Sequence, residues 1–326
     1  MTIRIHALGA ALVLLFAAAG SVAAPAQDAF PSRAVRIVSP FPAASVSDIS
    51  LRILAERLGP RLGTQVVIEN LPTGGGVAAA KAVITAPADG HTLALLSNAT
   101  AVSAALFKKL PYDPLRDFAA VGGVSDFSYV FLTNAKSKLH TLQDVVAAAR
   151  ANPGKLNFGT AAAGTSPHLT ALLFQKVAGV DFTIVPFRGA NDLTVALLRN
   201  DIDVVINAYG AVRPALREGT LRAIVTTAKT RAAALPDVPT VGEAGITNFE
   251  VSSWNGLFAP AGTPAAAIAR LSRDLAATLG EPDIVRKFIE IGVEARPSPP
   301  DEITTRLREE IARWSRVIDD AKIERQ

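Results

Sequence analysis

VRIVSPFPAASVSDISLRILAERLGPRLGTQVVIEN, residues 35–70, reads as a strand, a helix and a second strand. Val35 to Ser39 is a short run rich in β-branched residues. A loop of proline, serine and alanine follows from Pro40 to Ser47. From Asp48 to Leu58 the apolar residues Leu51, Leu54, Ala55 and Leu58 recur at helical spacing. Pro60 is placed to kink the helix end and Gly63 to stop it. Gln65 to Glu69 is the second strand. The unit repeats: Gly74-Gly75-Gly76 opens an alanine-rich helix to about Ala86, Pro87 to Gly90 turns the chain, and Thr92 to Ser97 is a third strand. Strands that are apolar throughout suit a buried parallel sheet with helices on both faces.

The alternation continues through helix 141–151, strand 155–159, helix 167–178, strand 182–186, helix 190–199, strand 202–207, helix 211–218 and strand 221–227. Strand 253–258 and helices near 264–279, 282–290 and 300–321 close the chain. Two long apolar runs, 118–133 and 250–259, are candidate crossovers between two α/β lobes. They divide the chain into a first lobe of residues 27–127 and 251–326 and a second of 128–250. The expected fold is a two-lobed α/β protein, each lobe a mainly parallel sheet flanked by helices. Its cleft is lined by loops that leave strand ends and enter helix N-termini.

Residues 1–26 fall outside this pattern. Arg4 and His6 form a basic start, Ala7 to Gly20 is a 14-residue apolar run, and Ala24-Pro25-Ala26 offers a small-residue cleavage site before Gln27. That run is shorter than the roughly 20 residues of a membrane span. The expectation is a cleaved signal peptide and a mature chain that is soluble and exported.

Composition narrows the function. Among 326 residues there are 33 bases and 29 acids, a net charge of +4, and no cysteine. Disulfide frameworks, thiolate zinc sites and cysteine nucleophiles are excluded. So diluted a charge gives no nucleic-acid footprint.

Four strand-to-helix loops carry small and hydroxyl residues: Phe41 to Asp48 (with Ala44, Ser45, Val46 and Ser47), Ser97-Asn98-Ala99-Thr100, Thr160 to Ser166 (with Ala162, Gly164 and Thr165), and Arg188 to Asn191. Helix N-termini expose unpaired N–H groups and partial positive charge, so a carboxylate is held there without a charged side chain. Plain capping by Ser47 or Asp48, Thr165 or Ser166, and Asn191 is the competing reading. Arg188, at a strand end, is a surface charge or a carboxylate clamp. Trp254, in the second crossover, walls the cleft or packs. Gly74 to Gly76 lacks the Gly-Lys-Ser/Thr of a phosphate loop. His91, His140 and His168 have no metal-ligand spacing. Ser166 and His168 lack a G-x-S-x-G elbow, so a hydrolase is disfavoured. No catalytic residue, cofactor or metal is expected.

The sequence resembles the Bug family, the TctC-like extracytoplasmic receptors of tripartite tricarboxylate transporters. The resemblance rests on Val38-Ser-Pro-Phe-Pro42, Val67-Ile-Glu-Asn70, Ala88-Asp-Gly90, Leu110-Pro-Tyr-Asp-Pro114, Asn152-Pro-Gly-Lys-Leu-Asn157, Gly164-Thr-Ser166, Val185-Pro-Phe-Arg-Gly189, Leu235-Pro-Asp-Val-Pro-Thr240 and Gly256 to Pro264. It implies a monomeric periplasmic binding protein with a hinge, a small carboxylate ligand, and TctA- and TctB-like membrane subunits as partners; a sensor input uses the same fold. It places Ser47 and Asp48 at the end of the first ligand loop and Thr165, Ser166 and His168 on a carboxylate-gripping loop. Asn207 stands where many members have aspartate, which removes a counter-charge for a ligand amine. Members commonly carry glycines where Ala44, Ser45 and Val46 stand here, and Val46 tolerates positive φ poorly. The resulting expectation is a narrower or more apolar wall and a non-amino carboxylate, with an apolar or aromatic body as one form.

Overall fold

The computed structural model describes residues 30–72, 76–161, 165–187, 190–320 and 322–325. Residues 1–26, Gly74, Gly75, Ala162, Gly164 and Arg188 lie outside them.

The chain forms a two-lobed α/β fold. Strands β1 (Val35–Ser39), β2 (Val66–Asn70) and β3 (Thr92–Ser97) are parallel, with β1 between the other two. Helix α1 (Val46–Leu62) buries Leu51, Leu54, Leu58 and Leu62 against this sheet. Each such leucine is worth about 1.5–3 kcal/mol on burial. Gly63, left-handed at φ 77°, ends the helix at the predicted place. Helix α2 (Val77–Ile84) leads to β3, and α3 (Asn98–Leu106) leaves it.

The 17-residue strand β4 (Phe118–Asn134) serves both lobes. Up to Ser128 it pairs antiparallel with β9 (Ser252–Pro260); from Tyr129 onward it pairs with β7 (Val204–Ala208). The second sheet adds β5 (Asn157–Ala161) parallel to both β6 (Thr183–Phe187) and β7, with β8 (Leu221–Thr226) antiparallel to β4. Helices α4 (Leu142–Ala151), α5 (Ser166–Ala178), α6 (Ala190–Leu198) and α7 (Tyr209–Arg217) cover it.

Thr227 knits the two crossing segments together. Its N–H donates to Tyr129 O at 2.9 Å, its hydroxyl accepts the Tyr129 N–H at 3.0 Å, and its carbonyl accepts the Val251 N–H at 2.8 Å. The hydroxyl also donates to the Val251 carbonyl. Thr227 is wholly buried.

Helices α8 (Ala265–Leu279), α9 (Pro282–Glu290) and α10 (Pro300–Asp320) complete the chain. α10 lies along α3 and β4 and reaches α5 through a Lys176–Asp320 ion pair. Strand β10 (Glu294–Ser298) pairs antiparallel with β4, an element the sequence pattern did not disclose. Its register shifts between Ala295 and Ser298, where Pro297 removes a ladder donor. Among the described residues no helix is long and apolar enough to cross a membrane.

Candidate functional site

Strand register brings the loop ends of both lobes to the middle of β4. Ser97 at the end of β3 stands opposite Asn255, which stands opposite Ser125 of β4. Ala208 at the end of β7 stands opposite Tyr129. Three residues of one strand, Asp126 to Ser128, therefore separate these positions, and α1, α3, α5 and α7 start near them.

In the first loop, Ser45 caps α1: its hydroxyl accepts the Asp48 N–H at 3.2 Å. The capping expected of Ser47 or Asp48 thus falls two to three residues earlier, because the helix already begins at Val46. Ser47 instead lies buried in the Asn255 and Ser125 cluster, with the Asn255 amide donating to both hydroxyls at 3.2 and 3.0 Å. Asp48 braces the loop from beneath. It accepts the Ala44 N–H at 2.8 Å, the Asn70 amide at 2.9 Å and the Arg52 Nε–H at 3.0 Å. Burial acts to raise its pKa, but the bonds from Arg52, Asn70 and Ala44 outweigh this and hold it below the ordinary carboxylate value. Phe41 packs half-buried on the first lobe's core, and its carbonyl accepts from Asn70. The left-handed residue is Ala44, at φ 62°, and not Val46. The strain expected at Val46 is absent because Val46 is helical, and a small residue carries the positive φ instead.

At the second loop Ser97 and Thr100 form a capping box on α3. Asn98 is wholly buried and joins three elements. It accepts the Trp314 Nε1–H of α10 at 2.7 Å and donates to Ser166 Oγ of α5 at 2.9 Å. The Tyr129 hydroxyl hydrogen-bonds Ser166 and Ser253, and burial raises its pKa. Thr165 stands at the N-cap position of α5 without a side-chain capping bond, and Pro167 sits in its first turn. Burial holds His168 below the ordinary histidine value, which favours the neutral ring at pH 7.

Thr160 turns its hydroxyl to the Ala161 carbonyl. Asn191 lies in the first turn of α6. Asn207 Oδ1 accepts the Ala208 N–H at 2.8 Å, while its buried Nδ2 has no hydrogen-bond partner among the described residues. Trp254 packs: it is fully buried beneath α10, with the Arg306 guanidinium 5.6 Å from its ring. Arg306 also binds Asp126 through two bonds of 2.7 and 2.9 Å.

The sequence reading missed Asn255, Ser125, Tyr129 and Trp314. Their one signal is a polar residue breaking an apolar strand, as in Ser253-Trp254-Asn255 and Ser125. Ser47, Ser125 and Asn255, and Asn98, Ser166 and Trp314, thus form two buried hydrogen-bonded clusters beside the starts of α1, α3 and α5.

A family model described as tripartite tricarboxylate transporter family receptor, TctC, matches residues 50–323. The chain belongs to the TctC family. This TctC chain is 33% identical over 311 residues to Protein BugT of Bordetella pertussis, covering 94% of this chain and 95% of that one. Among solved structures it is similar to MatC from Rhodopseudomonas palustris with bound malate, at 33% identity and TM-score 0.77, covering 89% and 100% of the two chains. It is similar also to an R. palustris protein with adipate, at 30% identity and TM-score 0.81, covering 90% and 99%. TctC members are receptors, so the fold and the family agree.

Proposed function

We propose that the chain is exported to the periplasm and closes on a small carboxylate without amine, which it delivers to the membrane subunits of a tripartite tricarboxylate transporter. The observation that supports this reading is that α1, α3 and α5 start around buried contacts of Ser47 with Asn255 and of Asn98 with Ser166, where we place the ligand cleft. A carboxylate there is stabilised by N–H dipoles and hydroxyls with little need for a basic patch. Relatives of the same architecture hold malate and adipate. Asn207 offers an amide where an ammonium group would want a carboxylate. The chain acts by binding and not by chemistry: the Ser166 hydroxyl is tied to Asn98 and Tyr129.

The lobes divide at residues 127/128 and 250/251. The partner change of β4 between Ser128 and Tyr129, and the Thr227–Val251 contact, support this hinge. Ligand favours the closed state by touching both lobes. Residues 1–26 are removed on export, so sequencing of the exported chain should begin at Gln27. A thermal-shift screen of carboxylates tests the function. Malate or adipate at 100 times its Kd adds about 2.7 kcal/mol and raises Tm; a panel in which only amino acids raise it overturns the reading.

A further inference from the structure

Alternate residues of β4 face opposite sides of the crossing strands. Ser125 and Tyr129 turn to the buried clusters at the helix starts, where they meet Asn255 and Ser166. Asp126 and Ser128 turn the other way. With Ser252 of β9 they line a crevice of about 310 Å³ behind the hinge. Both lobes wall it: residues of the segment 228–234 and Glu250 come from the second, residues of the segment 289–296 from the first.

The crevice carries two charges of each sign. Lys229 and Glu250 belong to the second lobe, Glu294 and Arg296 to the first. All four are exposed, and none makes an ion pair or a side-chain hydrogen bond among the described residues. Asp126 is already matched by Arg306. Opposite charges thus stand on opposite walls with space between them. On the far side of the strands the lobes touch, where Asn98 donates to Ser166 at 2.9 Å. Between front and back lies a close contact: the Tyr209 ring of α7 fills the place of a Cβ at Gly292, which is left-handed at φ 74°. Space and conformation both demand glycine there. The lobes therefore meet at the front and middle and stand apart at the back. Rotation about the crossing strands that parts Asn98 from Ser166 narrows the crevice.

We propose that this crevice holds an electrostatic latch for the open protein: as the lobes part at the front, Lys229 and Glu250 close on Glu294 and Arg296, and the ion pairs they form lower ligand affinity by favouring the open state. This rests on the hinge reading above and names residues far from the ligand that tune its binding. Exposed ion pairs are weak, so the latch shifts a balance and does not lock it.

Calorimetry with adipate and small-angle scattering test it. Lys229→Glu and Glu294→Lys each replace attraction across the crevice by repulsion, and each should tighten adipate binding about threefold, the scale of an exposed pair. Lys229→Glu/Glu294→Lys restores attraction with the signs exchanged, and returns affinity to the wild-type value or below it. Single variants that bind as wild type does, or a double variant as tight as the singles, overturn the proposal. A second arm needs no ligand. In this cysteine-free chain, Lys229→Cys/Glu294→Cys should form an intramolecular disulfide on oxidation, and the radius of gyration should grow as the front is held open. Reduction should reverse both. No disulfide, or a disulfide that leaves the radius unchanged, overturns the latch. Wild type that binds neither adipate nor malate counts instead against the carboxylate reading, and the disulfide and its scattering still judge the latch.

Discussion

Asn98 and Ser166 are 68 residues apart and belong to different lobes, yet the Asn98 amide donates to the Ser166 hydroxyl at 2.9 Å while its carbonyl oxygen receives the Trp314 indole N–H. One buried side chain thus couples α3, α5 and α10. Asn98→Ala removes one acceptor of the Trp314 N–H, leaving it the Glu310 side chain, and ends the bond to Ser166, at a cost of about 1–3 kcal/mol. Tm should fall by several degrees. In a Trp254→Phe background, which leaves Trp314 as sole tryptophan, its emission should shift to the blue; an unchanged spectrum would show that the Glu310 bond alone holds the indole.

Asn207 is the uncharged residue that the proposed ligand site offers on the second lobe. Asn207→Asp keeps an oxygen for the Ala208 N–H but adds a negative charge. Like-charge repulsion should weaken plain dicarboxylates at least tenfold and improve an amino dicarboxylate such as glutamate. Competition binding of malate against glutamate checks the sign. Equal loss of both would mean that the residue only supports the fold.

Thr227 ties β4 to the segment that enters β9. Thr227→Val preserves shape but leaves the buried Tyr129 N–H without its acceptor at 3.0 Å. A loss of about 2–3 kcal/mol follows, measurable by urea denaturation. Thr226→Val is the contrast. That neighbouring hydroxyl is buried without a partner among the described residues, so its replacement is neutral or stabilising.

Glu310 gives a pH signature. Burial raises its pKa, against the pull of Arg313 and Arg306, and its Oε2 has no hydrogen-bond partner among the described residues. A raised folded pKa means that its favourable contribution is full below the ordinary glutamate value and is lost as pH rises through the folded value. Glu310→Gln should therefore raise Tm at pH 7.5, by about 2 °C for each kcal/mol gained. The gain should vanish near pH 4. A gain that persists at acid pH would point to packing and not to ionisation.

Much of the fold follows from local pattern. The leucines of α1 and the apolar β3 are legible because their spacing is itself the burial. Strand β10 is not, because Glu294-Ala-Arg-Pro-Ser298 has neither alternation nor β propensity and exists only because β4 offers an open edge. The site divides the same way. Ser47, Asn98 and Ser166 announce themselves as small polar residues between a strand and a helix. Asn255 and Trp314 meet partners 208 and 216 residues away, contacts that no local signal encodes. The first loop shows the limit most clearly: a glycine-poor stretch needs one left-handed residue, but only the Asp48 brace on its N–H assigns that role to Ala44.

The most direct measurement of the central claim is a calorimetric titration of the exported chain with adipate, L-malate and L-glutamate at pH 7.5. The account predicts one-to-one binding of adipate or malate and at least tenfold weaker binding of glutamate. Tight glutamate binding without response to either plain dicarboxylate would contradict it.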